Sequence, residues 1–261
     1  MTLPGLLYHH VGPRRPGTYP ELTVTLERFE RQMSWLDRRG YVGIRPSDWL
    51  AFRRGDGTMP RRPVLITFDD AYDEVAEVAL PVLARHGFGA AVFVVTSHVG
   101  GSNAWDHEQY PHPLDLMNAE QIRYWARRKI EFGAHSRSHP YLTTLTAERL
   151  AEEVEGSARD LGRILGGIPL SFAYPHGAHD QRVRDCVVRS FALAMSCEEG
   201  LNTAATDPYL MRRTVVTPDI SMLEFAWLVR LGEPAMHHLR RRLRLRSRAV
   251  AAARWLRKRA A

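Results

Sequence analysis

The chain has 261 residues, 44% apolar, 25% charged and 9% aromatic, a balance that excludes a disordered, collagenous or coiled-coil protein and suits one domain near the upper size limit. Its net charge of +7 is concentrated at one end. Residues 240–259 hold ten Arg and Lys and no acid, while the remainder carries 26 basic against 29 acidic residues, so the basicity is not that of a nucleic-acid-binding domain.

Met1 to Val11 lacks a basic start, a long apolar stretch and a small-residue cleavage site, so no secretory signal is expected and the chain is placed in the cytoplasm. No apolar run nears the roughly 18 residues of a membrane span; the longest, Ala90 to Val95, reads as a buried strand. Short apolar runs then alternate with amphipathic stretches, the pattern of βα units and a largely parallel sheet. Strands are expected near Leu3 to Tyr8, Tyr41 to Ile44, Val64 to Phe68, Ala90 to Val95, Ile130 to Gly133, Leu170 to Ala173, Phe191 to Met195 and Thr214 to Val216. Among the helices between them, Leu26, Phe29, Met33 and Leu36 share one face and Gly40 follows as a stop. Asn118 and Gln121 form a capping-box start, and Thr146 precedes a helix carrying Leu150, Val154 and Leu161 that Gly166 and Gly167 can end. Seven or eight strands of this kind predict an α/β fold, a distorted (β/α) barrel over residues 1–234, followed by a basic tail at 235–261. The long connection from Thr96 to Met117 is expected to be a binding loop. Cys186 and Cys197 are expected as free thiols. Trp35, Trp49, Trp125 and Trp227 fall on helical patterns and are expected in the core.

Reactive side chains follow three of these strands: Asp69 and Asp70, then His135 and His139, then Tyr174 to Gly177. One barrel rim would collect all three groups. Adjacent carboxylates at a strand end point to different sides, so one can hold a metal while its neighbour faces a reacting water. Asp70 with two imidazoles four residues apart makes a two-His, one-carboxylate set that leaves positions open for water and substrate. Taken singly, the Asp pair could equally cap a helix over Tyr72 to Arg85, and the His pair could be structural. Their ordered placement after successive strands favours the site.

These residues resemble the polysaccharide deacetylases of carbohydrate esterase family four, the NodB homology domain. Thr67-Phe68-Asp69-Asp70 resembles the first motif of that family, His135-Ser136-Arg137-Ser138-His139 the second, and Phe172-Ala173-Tyr174-Pro175-His176-Gly177 a variant of the third. The resemblance implies that Asp70, His135 and His139 hold a divalent metal, usually Zn2+, with Co2+, Mn2+ or Ni2+ as substitutes, and that Asp69 is the catalytic base. It implies hydrolysis of the N-acetyl group of an amino sugar in a polysaccharide, oligosaccharide or lipid-linked glycan. The backbone N–H of His176 would help to hold the oxyanion, with Tyr174, Pro175 and Gly177 shaping the substrate wall. The third motif of the family often reads Arg-x-Pro-Tyr-Gly, and here Ala173 and His176 replace its Arg and Tyr. The later motifs that supply the usual acid are missing, so His10 or His176 is the expected proton donor and Arg213 the expected replacement cation. His10 and Arg213 are both counted at the substrate wall, and Trp105 and Asp106 are expected to stack on and bond a sugar ring.

In the tail, Leu239, Leu243, Val250, Trp255 and Leu256 interleave with arginines, a basic amphipathic pattern expected to meet an anionic membrane at its cytoplasmic face. No specific nucleic acid is expected. Hydrolysis of another amide or a cyclic imide, and glycan binding without turnover, are the competing readings.

Overall fold

In the computed structural model, which describes residues 1–15, 18, 20–108 and 110–233, the strands make one curled nine-stranded sheet and a separate two-stranded one formed by His10–Val11 and Thr23–Val24. They are β1 (Leu3–Tyr8), β2 (His10–Val11), β3 (Thr23–Val24), β4 (Val42–Ile44), β5 (Pro63–Phe68), β6 (Ala90–Val94), β7 (Ile130–Ala134), β8 (Ser171–Ala173), β9 (Leu193–Met195), β10 (Leu201–Asn202) and β11 (Thr214–Val215). β1, β5, β6, β7, β8 and β9 lie side by side in that order and every pairing among them is parallel. β10 joins β1 antiparallel and β11 joins it parallel, while β4 runs along the start of β5. A single parallel bridge between Met195 and Met211 brings β9 round toward the segment entering β11. The expected distorted barrel is therefore present, thinnest at that seam.

The pleat sorts side chains with a period of two. Leu6 and Tyr8, Val64, Ile66 and Phe68, and Ala90, Val92 and Val94 face outward into a large cluster under the helices. The alternate residues Leu3, Leu65, Ala91, Phe93 and Ala173 form a smaller cluster inside the curl. That interior is tight: a Cβ on Gly133 would lie 2.5 Å from Phe93 and 2.6 Å from Ser171 Oγ.

Of helices α1 (Leu26–Arg38), α2 (Pro46–Arg54), α3 (Leu80–Arg85), α4 (Ala119–Ala126), α5 (Ala147–Leu165), α6 (Gln181–Ser190) and α7 (Met222–Leu231), all but α2 cover the outside, while α2 packs Trp49 and Leu50 on the smaller, inner cluster. The caps work as the sequence indicates: Asn118 accepts from the N–H groups of Glu120 and Gln121, Thr146 accepts from Arg149, and Gly166 ends α5 at φ 76°. Two expectations are corrected. The helix anticipated from Tyr72 begins only at Val75, as a π-helical stretch to Ala79, because Asp70 and Ala71 are left-handed and Pro81 offers no N–H to an ordinary α-turn. Trp227 is 43% exposed beside an exposed Leu223, since the buried stripe of α7 is Phe225, Leu228 and Val229.

Both thiols are free. No helix among the described residues is long and apolar enough to cross a membrane. The tail pattern from Leu239 to Leu256, with its expected membrane contact, lies outside the described residues.

Candidate active site

Because the central strands are parallel, their carboxyl ends share one rim, and the segments following β1, β5, β7 and β8 meet there. Asp69 extends the β1–β5 ladder by one residue, donating its N–H to the Tyr8 carbonyl at 3.0 Å. Its side chain takes the inward parity of Leu65 and Thr67. There both carboxylate oxygens accept from Arg213, Nη1 to Oδ1 at 2.6 Å and Nη2 to Oδ2 at 2.9 Å. Arg213 is itself held, donating from Nη1 to Thr67 Oγ1 and from Nε to the Ser196 carbonyl, with its guanidinium 5.3 Å from the Phe93 ring centre. Burial pushes the Asp69 carboxyl up, but the charges of Arg213 and His135 and the bonds from Arg213 bring it below its ordinary value.

At Asp70 the chain turns left-handed, φ 72°, which swings the second carboxylate away from the first. Asp70 Oδ1 lies 3.6 Å from Nε2 of His135 and 3.6 Å from Nε2 of His139. Ligands about 2.0–2.1 Å from a tetrahedral zinc stand about 3.4 Å apart, so the spacing suits a shared cation. The donor chemistry fits as well. Asp70 Oδ1 is buried with no hydrogen-bond partner, a costly state that a cation relieves. His135 Nδ1 donates to the Ala173 carbonyl at 2.8 Å, which fixes the tautomer and leaves Nε2 with a lone pair aimed at Asp70. In the protein alone burial raises the Asp70 carboxyl well above its ordinary value, the Asp69 charge adding to it, and lowers both imidazoles. Each carboxylate thus has a separate partner, Arg213 for Asp69 and the two imidazoles for Asp70.

Left-handed non-glycine residues concentrate here. Of six among the described residues, Asp70, Ala71, Ser136, His139 and His176 belong to the three segments that build the site, a local strain expected where geometry is imposed for function. His139 is reached through a turn closed by its own N–H donating to Ser136 Oγ at 2.9 Å. Gly177, at φ 67°, passes so close to Cys197 that a Cβ would lie 2.8 Å from the Cys197 Cβ.

These groups open into a cavity of about 350 Å3 lined by Asp69, Asp70, His135, His139, Tyr174 and His176, with Asp106 and Tyr110 from the long loop. His9, Leu22, Tyr141 and Cys197 complete the wall. His176 lies at the rim with its ring stacked on Tyr141, centroids 3.9 Å apart and planes 9° apart, and its Nε2 donates to the His139 carbonyl at 3.3 Å. Tyr174 is buried and donates its hydroxyl to the Tyr209 carbonyl at 3.1 Å.

Four expectations change. Arg213 is fully buried and committed to Asp69, Thr67 and Ser196, so it stands behind the base, not at the substrate wall. His10 turns outward, Nε2 to Glu74 at 2.6 Å and Nδ1 to Thr23 Oγ1 at 3.0 Å; both nitrogens are committed and it is neither a wall residue nor a donor to substrate. Trp105 packs its ring 5.1 Å from that of His139 and 5.1 Å from that of His98, behind a candidate ligand, outside the cavity wall. Pro175 and Gly177 shape the turn under His176 without lining the cavity. The residue missed is His9, whose Nδ1 is buried without a partner and whose imidazole is pushed down to about 4, chiefly by burial, against the pull of Asp69. Parity in the structure accounts for it: residues 5 and 7 of β1 pair with 65 and 67 of β5, so His9 and not His10 continues the inward face beside Asp69.

Residues 56–191, more than half of the chain, match the family model described as polysaccharide deacetylase. YxkH of Bacillus subtilis strain 168 is 24% identical over 220 residues, 84% of this chain and 73% of that protein. The poly-beta-1,6-N-acetyl-D-glucosamine N-deacetylase of Staphylococcus aureus strain MRSA252 is 24% identical over 207 residues, 76% of this chain and 69% of that one. Among solved structures, the Streptococcus pyogenes deacetylase PplD in complex with acetate superposes with a TM-score of 0.76 at 20% identity, covering 90% of this chain and 99% of that one. His9 and Arg213 fall outside the matched residues.

Proposed function

The chain belongs to the polysaccharide deacetylase family, metal-dependent hydrolases that remove acetyl groups from amino-sugar nitrogen, and we propose that its substrate is a polymer of N-acetylglucosamine, hydrolysed with zinc held by Asp70, His135 and His139. The observation that carries this reading is the division of labour between adjacent carboxylates. Asp70 offers an unpartnered oxygen to two imidazoles, while Asp69 has both oxygens in a fork from Arg213. Asp70, His135 and His139 would hold a divalent cation, which when bound would polarise the acetamide carbonyl and make water more acidic.

The remaining work belongs to this chain's side chains. Asp69, kept ionised by Arg213, takes the proton of the attacking water, and the fork fixes the carboxylate so that little reorganisation accompanies the transfer. To the backbone N–H of His176, on a left-handed turn at the rim, we assign the hydrogen bond to the growing oxyanion charge. The proton that Asp69 takes from the water is the one the departing amine must receive, and we assign its relay to His9, whose buried Nδ1 has no partner and whose imidazole burial holds down to about 4: Nδ1 accepts the proton from Asp69 and gives it up to the amine. The cavity volume is near the lower end of the roughly 300–1,000 Å3 of small-molecule sites, which suits one acetamido sugar seated with its neighbours outside. The similarity to an N-deacetylase of poly-beta-1,6-N-acetyl-D-glucosamine favours that polymer.

The test is acetate release from β-1,6-linked N-acetylglucosamine oligomers by zinc-loaded protein, beside Asp69→Asn with metal content assayed in both. Metal in both and acetate from the parent alone is the expected result. Metal in both with no acetate from any N-acetylated sugar would overturn the substrate and favour another amide.

A further inference from the structure

Glu153 is a buried carboxylate on α5, sixteen residues beyond Arg137 in the turn that delivers His139, and it makes no ion pair among the described residues. Its three hydrogen bonds all come from that turn: Oε2 accepts the backbone N–H of Arg137 at 2.8 Å and of Ser138 at 2.9 Å, and Oε1 accepts the Ser138 hydroxyl at 2.6 Å. Two successive N–H groups converging on one oxygen make a small anion nest. The nest exists because Ser136 is left-handed, φ 61°, and the same turn leaves His139 left-handed, φ 63°. Non-glycine residues avoid this conformation, so an isolated His-Ser-Arg-Ser-His segment would relax away from it.

The same face of α5 grips the turn twice more, at spacings of three and four residues that share one side of a helix. Gly156 lets the Arg137 stem lie across the helix: a Cβ there would stand 2.6 Å from Arg137 Cδ. One turn further on, Asp160 accepts from Arg137 Nε at 2.8 Å. Glu153, Gly156 and Asp160 therefore clamp Arg137 and Ser138, and the next residue, His139, has its Nε2 3.6 Å from Asp70 Oδ1.

We propose that Glu153 is a positioning residue for the metal centre: by binding the backbone of the His135–His139 turn it holds His139 in ligating geometry before the cation arrives. It touches neither cation nor substrate, and the inference rests on the reading of Asp70, His135 and His139 as the metal ligands. Outer residues that orient a ligand typically account for 10–100-fold in metal affinity.

The test uses the full chain and the cation itself. Zn2+ affinity is measured by chelator competition, and Co2+ is titrated with its visible absorption recorded, for the parent, Glu153→Gln and Ser138→Ala. Glu153→Gln keeps the shape but turns an NH2 group toward donors, and is expected to weaken Zn2+ binding 10–100-fold and to alter the Co2+ spectrum. Ser138→Ala removes one bond at an exposed residue that folds regardless, and is expected to weaken Zn2+ binding a few-fold with the spectrum changed in the same sense. Metal-free Glu153→Gln is expected to melt within a few degrees of the metal-free parent. Parent affinity and an unchanged Co2+ spectrum in both variants would overturn the proposal, as would a loss of melting temperature in Glu153→Gln with parent metal affinity in Ser138→Ala. A parent chain that binds neither cation would remove the underlying site and this inference together.

Discussion

Arg213 closes a two-point fork on Asp69 across 144 residues of sequence, at 2.6 and 2.9 Å, with neither side chain open to solvent. The pair joins the residue expected as base to a cation that reaches it from the far side of the barrel seam, just before β11. Lys can supply the charge but not the planar fork, and losing the cation altogether leaves a buried, uncompensated carboxylate at a cost of about 3–5 kcal/mol.

Arg213→Lys is therefore expected to retain zinc while kcat falls about 100-fold or more, at the lower end of what a positioned base contributes. Arg213 holds the Asp69 carboxyl down, so weakening the pair raises it, and the acidic limb of the kcat/KM profile moves to higher pH. A pH–rate series for the two proteins, with metal content checked, measures both effects. An unshifted limb with full kcat would show that the fork has no part in holding the base.

His9 and His10 are neighbours with opposite fates, one facing the cavity and one tied to Thr23 and Glu74. His9→Asn is expected to lower kcat at least tenfold with little change in KM, whereas His10→Asn is expected to lower the melting temperature. The His9 imidazole sits below the unfolded value, at about 4, so as pH falls from about 6.5 the unfolded chain takes up its proton first and stability drops until the folded group protonates near 4. The loss from this group is about 1–3 kcal/mol once its partial exposure is allowed for. Melting curves of metal-free parent and His9→Asn between pH 7 and 4 should show the shallower fall in the variant.

The strands and the three segments at the rim were legible in the sequence because each depends on residues close together in the chain: an apolar run, then polar residues where the strand leaves the sheet. Asp70, His135 and His139 follow from that rule. Whether His9 or His10 faces inward turns on a shift of one residue, which reverses every side chain of a strand, and the register of β1 against β5 is a tertiary fact. Glu153 lies in a helix whose apolar face was evident, yet its role depends on a turn that packs against it only in three dimensions. Trp105 shows the converse error, since an aromatic in a binding loop can serve the wall or the layer behind it, and here it supports His139.

Metal removal should separate the two carboxylates. Chelation is expected to abolish turnover and to lower the melting temperature, because a cation that binds only the folded chain adds about 4 kcal/mol at a thousandfold excess over Kd. Asp70→Asn is expected to melt at the same temperature with and without zinc, having lost one ligand, while Asp69→Asn keeps the full zinc-dependent rise. Thermal melts across a zinc titration compare the three proteins, and a zinc-dependent rise in Asp70→Asn equal to that of the parent would remove Asp70 from the ligand set.

The last expectation concerns the rim, where Tyr141 is 54% exposed yet stacked against His176. His176 sits on a left-handed residue at φ 58°, its ring centroid 4.5 Å from that of His139 and its Nε2 bonded to the His139 carbonyl. The Tyr141 ring is thus the outer brace of a stack that runs from solvent to a metal-ligand candidate. Aromatic pairs of this kind contribute about 0.5–1.5 kcal/mol beyond their buried area, equivalent to about 2–12-fold in an equilibrium constant. Tyr141→Ala should therefore lower kcat/KM within that range, carried by KM because the brace meets the sugar side of the cavity and not the attacking water. Tyr141→Phe keeps the ring and should behave as the parent does. Steady-state kinetics on N-acetylglucosamine oligomers for the three proteins decide it: equal loss in both variants would assign the effect to the hydroxyl and not to the stacked ring.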